Sequence, residues 1–333
     1  MKKLLSALAA FVMLLSCMMA PAALADDKIS IVTTIFPIYD WVRQVAGDNL
    51  SNMDLTMLLD NGVDLHSYQP TAQDILKVST ADLFIYVGGE SDEWVEDVLD
   101  AAPNANIRAI NLVEAMGEDI KMEELVEGME HEHEHDEEEH EHEEHEHEVI
   151  EEEEEPDEHV WLSLRNAEKL VKVIAKAMAE IDAEHADAYP DNAKGYAKKL
   201  SVLDEKYKEI VSSAAFDTLL FADRFPFRYL TDDYGLKYYA AFSGCSAESE
   251  ASFDTVAFLI GKLNDLALPA VIRLEDGRIN IADTIIRDST AKNQRIVTLH
   301  SMQQITAEDV RQGISYLSLM EQNLNALQEA LNP

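Results

Sequence analysis

Two hydrophobic periods alternate along most of this chain. Lys28 to Thr34, Met53 to Leu59, Leu83 to Val87 and Asn106 to Leu112 are short runs rich in aliphatic side chains, as in buried strands. Between them, Phe36 to Ala46 and Glu93 to Ala102 space their apolar residues as helices do. Thr71 opens a further helix, with Asp74 three residues on in capping-box spacing. Two long helical patterns follow a polar gap, at Arg165 to Glu184 and Asp191 to Ser213. The first rhythm then returns. Thr218 to Phe221, Lys237 to Ala241, Ala270 to Leu274 and Arg295 to Leu299 read as strands. Phe227 to Tyr234, Ser252 to Leu266, Ile281 to Thr290 and Ala307 to Leu331 read as helices. Strands that alternate with helices favour parallel sheets covered on both faces. The pattern predicts an α/β protein of two similar (β/α) lobes. Ligands of such sheets sit beyond the carboxyl ends of the strands, so facing lobes enclose a cleft.

The polar gap, Glu118 to Glu158, is of low complexity. Nineteen of the 65 acidic residues lie between Glu130 and Glu158, where there is no Lys or Arg, and the rest of the chain stays acidic within a net charge of −39. Such a charge argues against nucleic acid as a partner and favours cations. The gap also holds His131, His133, His135, His140, His142, His145 and His147. A tract that alternates His with Glu buries no apolar surface, so it is expected to be disordered and to bind metal weakly at several places. His131 to His135 spell the H-E-x-x-H pattern of zinc proteases, but without the apolar helix face that motif requires. No Gly-x-Ser-x-Gly elbow, phosphate-cradling glycine loop or Cys-x-x-Cys pair occurs, and no enzymatic activity is expected.

The first residues stand apart from the folded pattern. Lys2 and Lys3 precede an apolar run from Leu4 to Leu15, and Ala23-Leu24-Ala25 offers a cleavage site before Asp26, as in a secretory signal peptide. Leu14-Leu15-Ser16-Cys17 resembles a lipobox, which would tether the chain through Cys17. Either reading places the protein outside the cytoplasm, in a periplasm or on the cell surface. Removal of residues 1–25 leaves Cys245 as the sole cysteine. It is open to two readings, a metal ligand or a small buried residue, and packing is the commoner fate of a single cysteine.

Four of the eleven histidines lie outside the tract. His66 sits in the loop after the second strand, His159 just before a long helix, and His300 directly after the last strand. Three imidazoles at comparable ends of the sheets point to a metal site at the cleft, since neutral imidazole suits zinc. His185 falls in a polar helical run and reads as a capping or exposed residue.

These segments also carry a resemblance. Asn61 to Thr71 resembles the motif N-G-x-D-P-H-x-Y-E-P-T, and Asp157-Glu158-His159-Val160-Trp161-Leu162-Ser163 resembles D-P-H-V-W-L-S. Glu248-Ser249-Glu250-Ala251-Ser252 is similar to P-E-x-E-P-S. Together they resemble the zinc and manganese solute-binding proteins of bacterial ABC importers, of TroA-like fold and zinc-uptake (ZnuA) type. The resemblance implies a lobe over residues 26–188 that includes the loop 118–158, a long rigid helix over 189–213, and a second lobe over 214–333. It implies a monomer that closes slightly on a metal in the interlobe cleft and serves a membrane permease. His66 and His159 match family ligands. The third ligand falls near Phe221 to Phe225, where Ala222 stands. The fourth, an aspartate in relatives, aligns with His300. Asp223 is the carboxylate expected to complete the shell, or else to pair with Arg224 or Arg228. Three imidazoles and an oxygen favour Zn2+, with Mn2+ as the alternative. A zinc hydrolase using Glu275 as base, or a zinc buffer, is the reading from another class.

Overall fold

The computed structural model describes residues 28–129, 155–245, 251–275 and 279–333. The signal-peptide and lipobox segment, the histidine tract, Glu248 and Glu250 lie outside the described residues.

In chain order the first sheet and its helices are β1 (Ile29–Thr33), α1 (Phe36–Ala46), β2 (Met53–Met57), α2 (Ala72–Ser79), β3 (Leu83–Tyr86), α3 (Trp94–Asp100), β4 (Arg108–Asn111) and α4 (Leu112–Met116). Helices α5 (Leu164–Ile181) and α6 (Ala188–Ser213) follow. The second set is β5 (Thr218–Arg224), α7 (Arg228–Tyr234), β6 (Lys237–Phe242), α8 (Phe253–Asp265), β7 (Ala270–Leu274), α9 (Ile279–Asp288), β8 (Arg295–Leu299), α10 (Ala307–Arg311) and α11 (Tyr316–Ala330). Each sheet has four strands, in the orders β2-β1-β3-β4 and β6-β5-β7-β8, and every pair is parallel. The second sheet therefore repeats the topology of the first. Among the described residues no helix is long and apolar enough to cross a membrane.

The larger apolar core runs through both sheets, from Ile31 and Phe84 to Phe221 and Leu299. Its centre is polar as well as aromatic. Trp41 of α1 meets Tyr316 of α11 edge-on, with ring centroids 5.2 Å apart. The Tyr316 hydroxyl donates to the Trp161 carbonyl at 2.7 Å, and the Trp161 indole donates to the Ser301 carbonyl at 2.8 Å. All three rings are fully buried. Burying such a ring removes about 150–250 Å² from water, an upper figure of about 4–6 kcal/mol each. The segment before α5 is thereby nailed to the loop after β8, which fixes His159 between the sheets. A smaller core, including Leu220, Ala222, Leu259 and Ile285, covers another face of the second sheet.

Two expectations are corrected. The pattern from Ala307 to Leu331 forms two helices, not one, because Gly313 takes φ +92° and Ser315 caps a new start by accepting from the Ser318 amide. The ends of the acidic gap are folded. Met122 bridges to Pro156, Met129 is buried, and Arg228 and Lys262 pair with Glu124 and Glu127. Scattered apolar residues and cations from the second sheet's helices supply what the acidic run alone lacks.

Candidate metal centre

Every side chain at the site hangs from a segment that follows the carboxyl end of a strand or precedes α5. The Asp64 carboxylate accepts the backbone N–H of His66 at 3.0 Å and so caps the short turn Leu65–Ser67 after β2. Asp157 does the same for His159, accepting its N–H at 2.8 Å and facing its ring Nδ1 at 3.1 Å. The His66 Nδ1 lies 2.8 Å from the Ser91 hydroxyl and 3.7 Å from Glu158 Oε2. Each imidazole thus has an oxygen partner on Nδ1, and the two Nε2 atoms face each other at 3.1 Å. With the protons on Nδ1, two lone pairs converge on one point, an arrangement that a cation resolves. Tetrahedral zinc, with Zn–N near 2.0–2.1 Å, would place two such nitrogens roughly 3.3 Å apart.

Gln303, in the loop after β8, adds to the convergence. Its amide nitrogen belongs on Asp64, at 2.7 Å, because Asp64 can only accept, and this leaves its oxygen 2.8 Å from His159 Nε2. The same amide position is 3.5 Å from His66 Nε2. Cys245, after β6, is also present: its sulfur and the imidazole nitrogens of His66 and His159 lie within 4.8 Å of one another. Among the described residues this is the one His/Cys/Asp/Glu group close enough to share an ion.

The structure therefore brings His66 and His159 together and adds Cys245 and Gln303. It does not bring His300 or Asp223 into that group. The His300 backbone is clamped by Asn323, which accepts its N–H at 2.7 Å and donates to its carbonyl at 2.9 Å, and its Nδ1 lies 3.5 Å from Glu275. Asp223 accepts from the Leu274 amide at 3.2 Å, tying β5 to β7. Arg224 pairs with Asp64 at 2.8 Å, while Arg228 pairs with Glu124 and Asp232. Glu275 takes the Ser301 amide and hydroxyl and the Met302 amide, so it is committed to the loop after β8. His185 faces Asp182 at 2.9 Å on the surface of the helical pair.

The electrostatics favour neutral imidazole and a cation. Burial, then the neighbouring His159, holds His66 down to about 3. Burial lifts Glu158 to about 7 and Asp92 to about 6, even though backbone amides donate to both. Burial also pushes up the Cys245 thiol, helped by Glu123, Glu158 and Asp157. Burial alone would raise Asp64, but the Arg224 guanidinium beside it outweighs that and holds the carboxyl below the usual range. A cleft of about 710 Å³ opens onto His66 and Cys245 and carries Glu90, Glu93, Glu155 and Glu158 on its walls. Such a mouth raises the local concentration of cations.

Known proteins share this fold. The family described as zinc-uptake complex component A, periplasmic, matches residues 31–330. The chain is 32% identical over 305 residues to the zinc-binding lipoprotein AdcA of Streptococcus pneumoniae, covering 92% of this chain and 56% of that protein. It is 30% identical over 305 residues to the high-affinity zinc uptake system protein ZnuA of Bacillus subtilis, covering 92% and 88%. It thus spans little more than half the length of AdcA. Among solved structures, the Zn(II)-bound ZnuA-like domain of Streptococcus pneumoniae AdcA superposes with a TM-score of 0.69 at 28% identity, over 92% of this chain and 100% of that one. The metal-dependent lipoprotein YcdH of Bacillus subtilis gives 0.71 at 25% identity, over 91% and 100%. The expected fold class, two parallel (β/α) sheets of the TroA-like kind, holds. The chain belongs to the family of zinc-uptake complex component A.

Proposed function

We propose that this protein captures Zn2+ outside the cytoplasm, in the cleft between its two sheets, and delivers it to the permease of an ABC importer. The observation that carries this reading is the pair of Nε2 atoms 3.1 Å apart, each imidazole oriented by an oxygen on its far nitrogen. Zinc suits a nitrogen-rich set, whereas manganese prefers oxygens. The names of the relatives, a zinc-binding lipoprotein and a zinc uptake protein, point the same way. They also support an extracytoplasmic place, as a free exported form or held by a lipid on Cys17. The protein acts as a monomer in this reading, and the histidine tract binds zinc loosely. His300 and Asp223 act as supports of the loops and strands around the site. The hydrolase reading has lost its base, since Glu275 is engaged with Ser301 and Met302.

The test is a zinc titration against a competing chelator. The full chain and a variant lacking residues 130–154 should each hold one tight equivalent, and His66→Ala with His159→Ala should abolish it. Loss of the tight equivalent on deleting the tract alone would move the site there and overturn this reading.

A further inference from the structure

At the end of β5, where a third ligand was expected, Asp223 lies outside the His66, His159 and Cys245 group and accepts from the Leu274 amide at 3.2 Å. Ala222 is buried in the smaller core and the Arg224 guanidinium faces Asp64. The loop after β6 comes in instead. Gly244 lies against His159: a Cβ there would stand 3.0 Å from His159 Cε1 and 2.9 Å from the Phe225 carbonyl oxygen. Only a residue without a side chain lets the backbone approach the imidazole this closely. The next residue is Cys245, whose backbone N–H donates to Glu123 Oε1 at 3.1 Å and whose thiol lines the cleft beside His66.

We propose, resting on the zinc-capture reading above, that Cys245 and Gln303 complete the site, so that the ion is held by His66 Nε2, His159 Nε2, Gln303 Oε1 and Cys245 Sγ. Three of the four corners already stand at tetrahedral separations. The nitrogens are 3.1 Å apart, and the Gln303 oxygen position is 2.8 and 3.5 Å from them. The fourth corner is wider, since the sulfur and the imidazole nitrogens share a 4.8 Å envelope. A Zn–S bond of about 2.3 Å would bring the sulfur to roughly 3.5 Å from each nitrogen. On binding, the S–H bond breaks, its proton leaves to solvent, and the sulfur lone pair is donated to Zn2+ with no change of oxidation state. Two of these donors, Cys245 and Gln303, come from the second sheet's loops and two from the first sheet's side, so the ion joins both. A thiolate among them makes the site selective for thiophilic ions and turns away manganese.

The experiment uses the full chain with Cys17→Ser, which leaves Cys245 as the sole cysteine. Loaded with Co2+ as a spectroscopic substitute, this protein should show sulfur-to-cobalt charge-transfer absorption in the near ultraviolet. The tract contains no cysteine, so its own cobalt adds nothing there. Cys245→Ser should lose that band and weaken Zn2+ at least a hundredfold against a chelator, with circular dichroism unchanged. Gln303→Leu should weaken Zn2+ about tenfold and Gln303→Glu should restore it. A cobalt form without the band, or a Cys245→Ser variant that binds Zn2+ as well as its parent, makes Cys245 a packing residue and overturns the thiolate ligand. Undiminished binding by Gln303→Leu overturns the oxygen ligand. If His66→Ala with His159→Ala also binds normally, the zinc-capture reading itself fails.

Discussion

Arg224, at the end of β5, donates to Asp64 at 2.8 Å, and Asp64 in turn holds the backbone N–H of His66 at 3.0 Å. One ion pair thus links the second sheet to the loop that carries a proposed ligand. Both side chains are largely buried, so removing one partner strands the other's charge, at a cost of about 3–5 kcal/mol. Arg224→Met should lower the melting temperature, and Asp64→Asn added to it should recover part of the loss. The pH response follows from Asp64. Its folded pKa is depressed, so its contribution is present above the unfolded value of about 3.9 and is lost as pH falls through the folded one. Arg224→Met should therefore lose less stability than its parent on acidification below about pH 4. If the losses of Arg224→Met and Asp64→Asn, each measured alone in urea melts, simply added in the double variant, the pair would not be coupled.

Zinc affinity should depend on pH through the thiol more than through His66. Free imidazole titrates near 6.5, which from the sequence alone predicts competition around pH 6. Burial holds His66 down to about 3, so it stays neutral and available through the physiological range. The Cys245 thiol is pushed the other way and must release its proton to ligate. Affinity should rise about tenfold per pH unit between roughly pH 6 and 8, with about one proton released per zinc. Calorimetry in buffers of different ionisation enthalpy measures both. A flat affinity with no proton release would contradict a thiol ligand.

Much of this fold was legible because its signals are local. The Thr71–Asp74 capping box forms as its spacing requires, and each strand run forms where the apolar residues cluster. The site was legible only in part. His66 and His159 sit in motifs that announce a ligand, whereas Cys245 and Gln303 have no partner nearby in sequence and gain one only when four distant loops meet. The end of β5 was hard to read for a related reason. Its register with β6 slips between Phe221 and Arg224, so which side chain faces the cleft could not be counted from the strand. Likewise His300 and Gln303 share the loop after β8. Asn323 and Glu275 shape that loop so that Gln303 reaches His159, and neither contact is visible without the fold.

Asp92 offers a stability test on a residue that is not itself a proposed ligand. It is buried and accepts from the Val87 and Gly88 amides at 2.8 and 3.0 Å. Burial raises its pKa to about 6, so the native state holds a proton that the unfolded state releases near 3.9. The charge penalty is absent at low pH, develops between about pH 4 and 6, and is fully present above, with a ceiling of about 3 kcal/mol. Asp92→Asn keeps an acceptor for both amides and removes the charge. It should be at least as stable as its parent at pH 7 and relatively less favoured at pH 4. His66, with its lowered pKa, acts in the opposite sense over the same range, so only the difference between the two proteins is diagnostic. A variant that is equally destabilised at both pH values would assign Asp92 a purely geometric role.

Gly244 separates the shape of the site from its chemistry. An added Cβ would meet the Phe225 carbonyl at 2.9 Å and His159 Cε1 at 3.0 Å, and the backbone carbonyl cannot move aside cheaply. Overpacking of this kind costs about 1–3 kcal/mol, part of which would be relieved by tilting the imidazole of His159. Tilting swings Nε2 away from His66 and lifts Cys245 with the loop, so Gly244→Ala should weaken zinc at least tenfold although no proposed ligand is altered. The control lies in α6. Gly195 meets nothing within 4 Å of its would-be Cβ, and its alanine variant should gain up to about 1 kcal/mol from helix propensity with zinc binding unchanged. Thermal melts with and without zinc read both effects. If Gly244→Ala lost stability yet kept the parent's zinc affinity, the loop after β6 would tolerate displacement, and its contact with His159 would serve packing alone.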